Sequence, residues 1–155
     1  MALSSGLGCF MFPGATGSLD TKYEGKAQAA LDLFDGGNDF VYVHVEGPDE
    51  SSHAGSLEDK IACIENIDSR IVKPIIEGLR ERGEDFRVLI APDHRTPLAI
   101  RTHSSDPVPF VIYDSRNELP EDERKQFNER AAIATGVYVD EAFKLTDILF
   151  EKMKY

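Results

Sequence analysis

Residues 39–45 read DFVYVHV, and this run limits the folds open to the chain more than any other stretch. β-Branched and aromatic residues favour extended backbone, because they pack well on a pleated surface and lose side-chain freedom in a helix. With period-two alternation, Phe40, Tyr42 and His44 share one face, and Val41, Val43 and Val45 share the other. Both faces are largely apolar, which suits a central strand covered by helices on each side. FRVLIA at 86–91 and PFVIY at 109–113 read as further strands, and LGCFMFP at 7–13 reads as a short one closed by Pro13.

Helical patterns lie between these runs. Ala27, Ala30, Leu31 and Phe34 recur at helical spacing over 22–34, ahead of Gly36-Gly37. Ser56, with Asp59 three residues on, predicts the N-cap of a long helix over 57–82. Its apolar stripe is Ile61, Ile64, Ile67, Ile71, Ile75 and Leu79. Pro74 inside that pattern predicts a kink or break, and Gly83 a stop. A short helix is expected over 129–134. A last one is expected over 140–153, with Phe143, Leu145, Ile148, Leu149 and Met153 available for packing. Strand–helix–strand order with near-continuous apolar strands predicts an α/β fold with a mostly parallel sheet. A chain of 155 residues is one domain's worth, so residues 1–155 are expected to form a single domain.

Charge narrows the partners. The formal net charge is -11, from 28 acidic and 17 basic residues, so the basic footprint of a nucleic-acid binder is missing. No run of 18 apolar residues exists, so no membrane span is expected, and residues 1–6 lack the features of a secretory leader. Cys9 and Cys63 follow no metal-binding spacing and make no disulfide framework. A reducing compartment, the cytoplasm, is therefore expected.

Three polar segments carry the chemistry. GPDESSH supplies Asp49 and His53, APDHRTP supplies Asp93 and His94, and RTHSSDPVP supplies His103 and Asp106. In open α/β sheets ligands bind beyond the carboxyl ends of the strands, where loops following parallel strands converge. Carboxylate plus imidazole suits a borderline divalent ion such as Mn²⁺ or Zn²⁺, whereas Mg²⁺ asks for more oxygen ligands. Taken singly, each motif also fits a turn aspartate and a solvated histidine. Their recurrence in three segments favours the metal. His44, inside a strand, reads as a buried or half-buried packing histidine. Glu46 reads either as a carboxylate orienting an imidazole or as an exposed turn residue. Arg101, Arg95 and Lys26 are candidates to meet an anionic substrate.

At these residues the sequence resembles a known family. VYVHVEGPDESSHAGSLEDKIACIENIDSRIV and VLIAPDHRTPLAIRTHSSDPVPFVIY are similar to the metal-binding segments of cofactor-independent phosphoglycerate mutases. PGATGSLDTKYEGKAQAAL and FNERAAIATGVYVDEAFKLTDILF resemble the archaeal-type branch. The resemblance runs from residue 7 to residue 151. It implies the three-layer, doubly wound core of the alkaline phosphatase-like superfamily, here as a partial version lacking the N-terminal strands. It also implies two divalent ions, Mn²⁺ first, with Zn²⁺ or Mg²⁺ as alternatives. Asp49, His53 and His103 would hold one ion, and Asp93 and His94 would contribute to the other.

The activity implied is interconversion of 3- and 2-phosphoglycerate, a small phosphorylated hydroxy acid, through a phosphoserine intermediate. The family's nucleophilic serine and its substrate-clamping domain match no segment here. Ser51, Ser52, Ser104 and Ser105 therefore receive no catalytic role, and the chain corresponds to the C-terminal portion alone. The family commonly has Ala-Gly at Ser51-Ser52 and Pro at Arg95, and neither change removes a ligand. A metal-dependent phosphatase relative and a non-catalytic metal- or partner-binding homologue are the alternative readings. A sheet without its first strands is expected to self-associate or to require the missing N-terminal portion.

Overall fold

The computed structural model describes residues 8–11, 13–120 and 126–151. The leader reading at 1–6, Leu7 and Phe12 of the expected first strand, and Met153 lie outside them. The described residues fall into two compact units. One holds the chain up to Gly83 together with Thr96–Thr102, and the other holds Glu84–Arg95 and the chain from His103 onward.

The first unit is helical. Helix α1 spans Tyr23–Asp35, as the spacing of its alanines predicts, and buries Tyr23, Ala27, Ala29 and Ala30. Burial and the neighbouring Cys63 thiol push the Tyr23 phenol up to about 12, so it stays neutral at physiological pH. Helix α2, Gly47–Ala54, stands where the sequence reading has only a loop. Its signals are Pro48 in the first turn and Gly55 at φ +76° beyond the last. Eight residues of polar composition hide them.

Helix α3, Leu57–Ile67, starts at the expected cap: the Ser56 side chain accepts from the Asp59 amide at 3.3 Å. The expected disruption follows as a π-helical turn over Asp68–Val72, and helix α4 resumes over Lys73–Glu81 with Pro74 in its first turn. Proline has no N–H to give the carbonyl one turn back, so the ladder changes register before it. Gly83 sits beyond the end of α4 at φ +69°, as expected of a stop.

The long apolar stripe is corrected in part. Ile71 and Leu79 are buried, but Ile61 is 46% exposed and Ile64 51%. Helix α3 instead buries Cys63, whose Sγ would lie 2.8 Å from a Cβ placed on Gly47 of α2. Helices α1 and α4 approach closely because Gly78 leaves room for Leu31. Arg82 clamps them, donating to Asp35 Oδ1 at 2.6 Å and to the Leu31 carbonyl at 3.1 Å.

The expected strand over 39–45 is not formed: residues 40–46 carry no ladder hydrogen bonds. Val41, Val43 and Val45 are half-buried, whereas on the other face Phe40 is half-buried and Tyr42 and His44 are exposed. Side-chain preference marks residues that fit a sheet, but a strand also needs a neighbour's backbone. The same holds for 8–11, which form no strand.

The second unit contains the one ladder among the described residues. Strands β1 (Arg87–Ile90) and β2 (Val111–Asp114) pair antiparallel, with Arg87 opposite Asp114 and Ile90 opposite Val111. The expected sheet is mostly parallel. The connection over 91–110 forms no helix of the kind that usually carries a parallel crossover, and β2 pairs with β1 in the antiparallel sense. Helix α5, Glu129–Ala134, begins as expected, with Asn128 accepting from the Ala131 amide at 2.9 Å. Helix α6 is shorter than expected, Lys144–Leu149. It buries Ile148, while Phe143 is 66% exposed.

A charged cluster ties this unit together. Arg87 donates to the Ile148 and Leu149 carbonyls at the end of α6, at 2.8 and 2.6 Å, and its Nε lies 3.3 Å from Asp114 Oδ2. Arg116 donates to both Asp114 oxygens, at 2.9 and 2.6 Å, and to Glu151 at 2.7 Å. The guanidinium of Arg116, with help from Arg87, holds the Asp114 carboxyl well below the usual carboxylate range.

Two outcomes are expected. A depressed folded pKa gives stability that is present above the unfolded carboxylate value, about 3.9, and lost as pH falls through the folded one. Thermal melts of Asp114→Asn should therefore show a lower midpoint than wild type at neutral pH, with the gap closing toward about pH 2. A gap independent of pH would contradict the electrostatic assignment. Gly47→Ala should cost about 1–3 kcal/mol in denaturant titrations by overpacking Cys63. In a Cys63→Ala background most of that cost should vanish.

Candidate metal centre

Helix α2 places Asp49 and His53 four residues apart, hence on one face. His53 Nε2 lies 3.3 Å from Asp49 Oδ2, and His53 Nδ1 lies 2.9 Å from the Arg101 carbonyl oxygen. A carbonyl only accepts, so Nδ1 carries the proton in that bond. In the neutral ring Nε2 then turns its lone pair toward a carboxylate. An ion placed beside this pair would meet a carboxylate oxygen and an imidazole nitrogen together. The donor set, one carboxylate oxygen and one imidazole nitrogen fixed by a backbone carbonyl, therefore fits a divalent ion.

Two features of this unit fix the pair. Arg101 has φ +51°, a left-handed conformation that costs a non-glycine residue about 1–2 kcal/mol. The turn is closed by the Arg101 amide donating to the Pro97 carbonyl at 2.9 Å. Thr96, 5% exposed, donates from Oγ1 to Asp49 Oδ1 at 2.5 Å. Lys60 of α3 donates to the Thr96 carbonyl at 2.9 Å. Neither Thr96 nor the Arg101 carbonyl is singled out by sequence reasoning. A main-chain oxygen has no residue signature, and a threonine after Arg95 reads as loop.

The candidate anion-binding residues are engaged with the protein itself. A Cβ on Gly55 would stand 2.5 Å from Arg101 Nε, so this guanidinium lies over the C-terminal end of α2, where a cation is favoured. Lys26 donates to the His44 carbonyl at 2.9 Å, and its burial lowers the ammonium's pKa against the opposing charge of Glu46. His44, expected to be buried or half-buried with a hydrogen-bond partner, has the partner but is more exposed than a packing residue. Its side chain is half exposed, stacks on Tyr42 with ring centroids 6.1 Å apart, and brings Nε2 to 3.2 Å from Glu46 Oε1. Glu46 thus orients an imidazole, but that of His44. Ser51 and Ser52 are buried and donate to the Gly47 and Pro48 carbonyls of their own helix, at 2.7 and 2.6 Å.

The second unit carries its own cluster. Arg95 and Ser104 form an isolated antiparallel bridge, and next to it the rings of His94 and His103 stack with centroids 3.7 Å apart. Asp93 accepts from the His94 amide at 3.1 Å, and its Oδ2 lies 3.5 Å from His94 Nε2. Asp106 accepts from Ser104 Oγ at 2.7 Å and lies 3.9 Å from Arg95 Nη1. Within the units, then, Asp49 meets His53, and Asp93 and His103 both meet His94.

The chain is similar to known proteins in sequence and in fold. The family model of the Metalloenzyme superfamily matches residues 5–139. A 2,3-bisphosphoglycerate-independent phosphoglycerate mutase of Methanothrix thermoacetophila is 56% identical over 103 residues, 66% of this chain and 26% of that protein. A probable enzyme of the same name from Geobacter sulfurreducens is 40% identical over 98% of this chain and 37% of its own length. A solved structure of a Pyrococcus horikoshii protein superposes with a TM-score of 0.73 at 32% identity, covering 86% of this chain and 38% of that one. The chain thus spans between a quarter and two-fifths of the relatives it matches, as the resemblance to a C-terminal portion leads one to expect. With the alkaline phosphatase-like assignment borne out in sequence and in fold, the chain belongs to the Metalloenzyme superfamily.

Proposed function

We propose that this chain supplies the metal-binding portion of a phosphoryl-transfer centre of the cofactor-independent phosphoglycerate mutase type. Asp49, His53 and His103 hold one divalent ion, and Asp93 and His94 contribute to a second. The observation that carries the reading is the α2 pair, in which the Arg101 carbonyl fixes the His53 tautomer and aims Nε2 at the Asp49 side. Mn²⁺ is the first choice of ion for a mixed carboxylate and imidazole set, and Zn²⁺ and Mg²⁺ are the alternatives.

Bound divalent ions would lower the pKa of an attacking hydroxyl and neutralise charge on the transferring group. The chain's own residues do the holding: the Arg101 carbonyl orients the His53 ring through Nδ1, Asp49 Oδ2 stands beside Nε2, and His94 is oriented by Asp93. The substrate is a small phosphorylated hydroxy acid, and the reaction is the interconversion of 3- and 2-phosphoglycerate in glycolysis or gluconeogenesis. Arg95, Arg101 and Lys26 would reach it only by leaving their present partners. Three of the serines near the ligands have hydroxyls that donate within the protein, Ser51, Ser52 and Ser104. This supports a nucleophile drawn from the family's N-terminal portion.

Elemental analysis after dialysis against trace Mn²⁺ and Zn²⁺ should find about two ions per chain, and His53→Ala/Asp93→Ala should lose both. Equal metal content in wild type and double variant would overturn the proposal. Hydrolysis of an aryl phosphate without 3- to 2-phosphoglycerate interconversion, in the presence of the N-terminal portion, would favour a phosphatase instead.

A further inference from the structure

Asp49 has two carboxylate oxygens, and the structure gives them different neighbours. Oδ2 lies beside His53 Nε2, while Oδ1 accepts the short hydrogen bond from Thr96. At 2.5 Å this is a charge-assisted O–H···O⁻ contact, among the stronger hydrogen bonds a protein makes. Thr96 is nearly buried, and its backbone is tied to α3 through Lys60. Segment 96–102 therefore touches the α2 pair twice, with a hydroxyl on Asp49 and with the Arg101 carbonyl on His53.

We propose that Thr96 is a positioning residue that holds Asp49 as a one-oxygen ligand and thereby sets which divalent ions the α2 pair accepts. The inference rests on the metal reading of the previous subsection. Its chemical content is denticity. A carboxylate with one oxygen committed to a hydrogen bond offers the other to a metal at a defined angle, which suits the low coordination numbers of Zn²⁺. A carboxylate with both oxygens released chelates in two-oxygen fashion, which suits the six to eight oxygen ligands that Ca²⁺ takes. Partners of metal ligands commonly change affinity about tenfold to a hundredfold when removed.

Calorimetric titration of the full chain with Zn²⁺, Mn²⁺ and Ca²⁺ tests this. Thr96→Val keeps the shape and removes the donor. It should weaken Zn²⁺ and Mn²⁺ about tenfold to a hundredfold while leaving Ca²⁺ unchanged or tighter. Thr96→Ser keeps the donor and should behave as wild type. Circular dichroism establishes that the variants are folded, and Thr96→Ala, expected to show the same selectivity shift, decides the matter if the valine variant is not. Equal weakening for all three ions would mark Thr96 as merely structural and overturn the inference, as would wild-type affinities in Thr96→Val. The underlying metal reading fails separately, and visibly, if wild type binds none of the ions or if His53→Ala binds them as wild type does.

Discussion

The hydrogen bond from His53 Nδ1 to the Arg101 carbonyl is the contact on which the metal reading depends. It settles the tautomer, and the tautomer decides whether Nε2 is a donor satisfied by Asp49 or a lone pair offered beside it. Without it, Asp49 and His53 would be an ordinary helical pair, a neutral donor against a carboxylate, of the kind that surface helices carry without function. With it, a neutral ring presents Nε2 as an acceptor beside the Asp49 carboxylate, the kind of donor-atom pair a divalent ion takes. The left-handed backbone at Arg101 is the local cost of aiming that carbonyl.

The rest of the first unit can be understood as support for this contact. Gly47 lets α2 settle onto Cys63 of α3, Gly55 ends α2 and leaves room for the Arg101 side chain, and Lys60 holds the Thr96 backbone. Each is a short-range steric or hydrogen-bonding requirement. Together they place a helix, not a loop, under the Asp-x-x-x-His spacing. That spacing then has a geometric meaning, since four residues make one turn with both side chains on one face. A loop of the same composition would leave the two groups to find one another.

Much of this was legible from residue pattern, and the failures share a cause. The α3 cap at Ser56, the disturbance ahead of Pro74 and the stop at Gly83 depend on local stereochemistry, and all three appear. Strands β1 and β2 appear close to where their β-branched runs lie. What did not follow was whatever needed a distant partner. Residues 39–45 have strand chemistry but no ladder, and Ile61 and Ile64 have the spacing of a core stripe but face outward. At the site, the candidate ligand types were readable as a set. The Thr96 hydroxyl and the Arg101 carbonyl were not, because one belongs to an unremarkable loop residue and the other to no side chain at all.

His53 Nε2 is the atom proposed to meet a divalent ion. Long-range ¹H–¹⁵N correlation spectra of the imidazole side chains, recorded with and without Zn²⁺, test it directly. The expected result is a His53 ring protonated on Nδ1 in the zinc-loaded protein, with the Nε2 resonance moved by the metal and the Nδ1 resonance little changed. A neutral His53 ring protonated on Nε2, with both nitrogens indifferent to zinc, would contradict it.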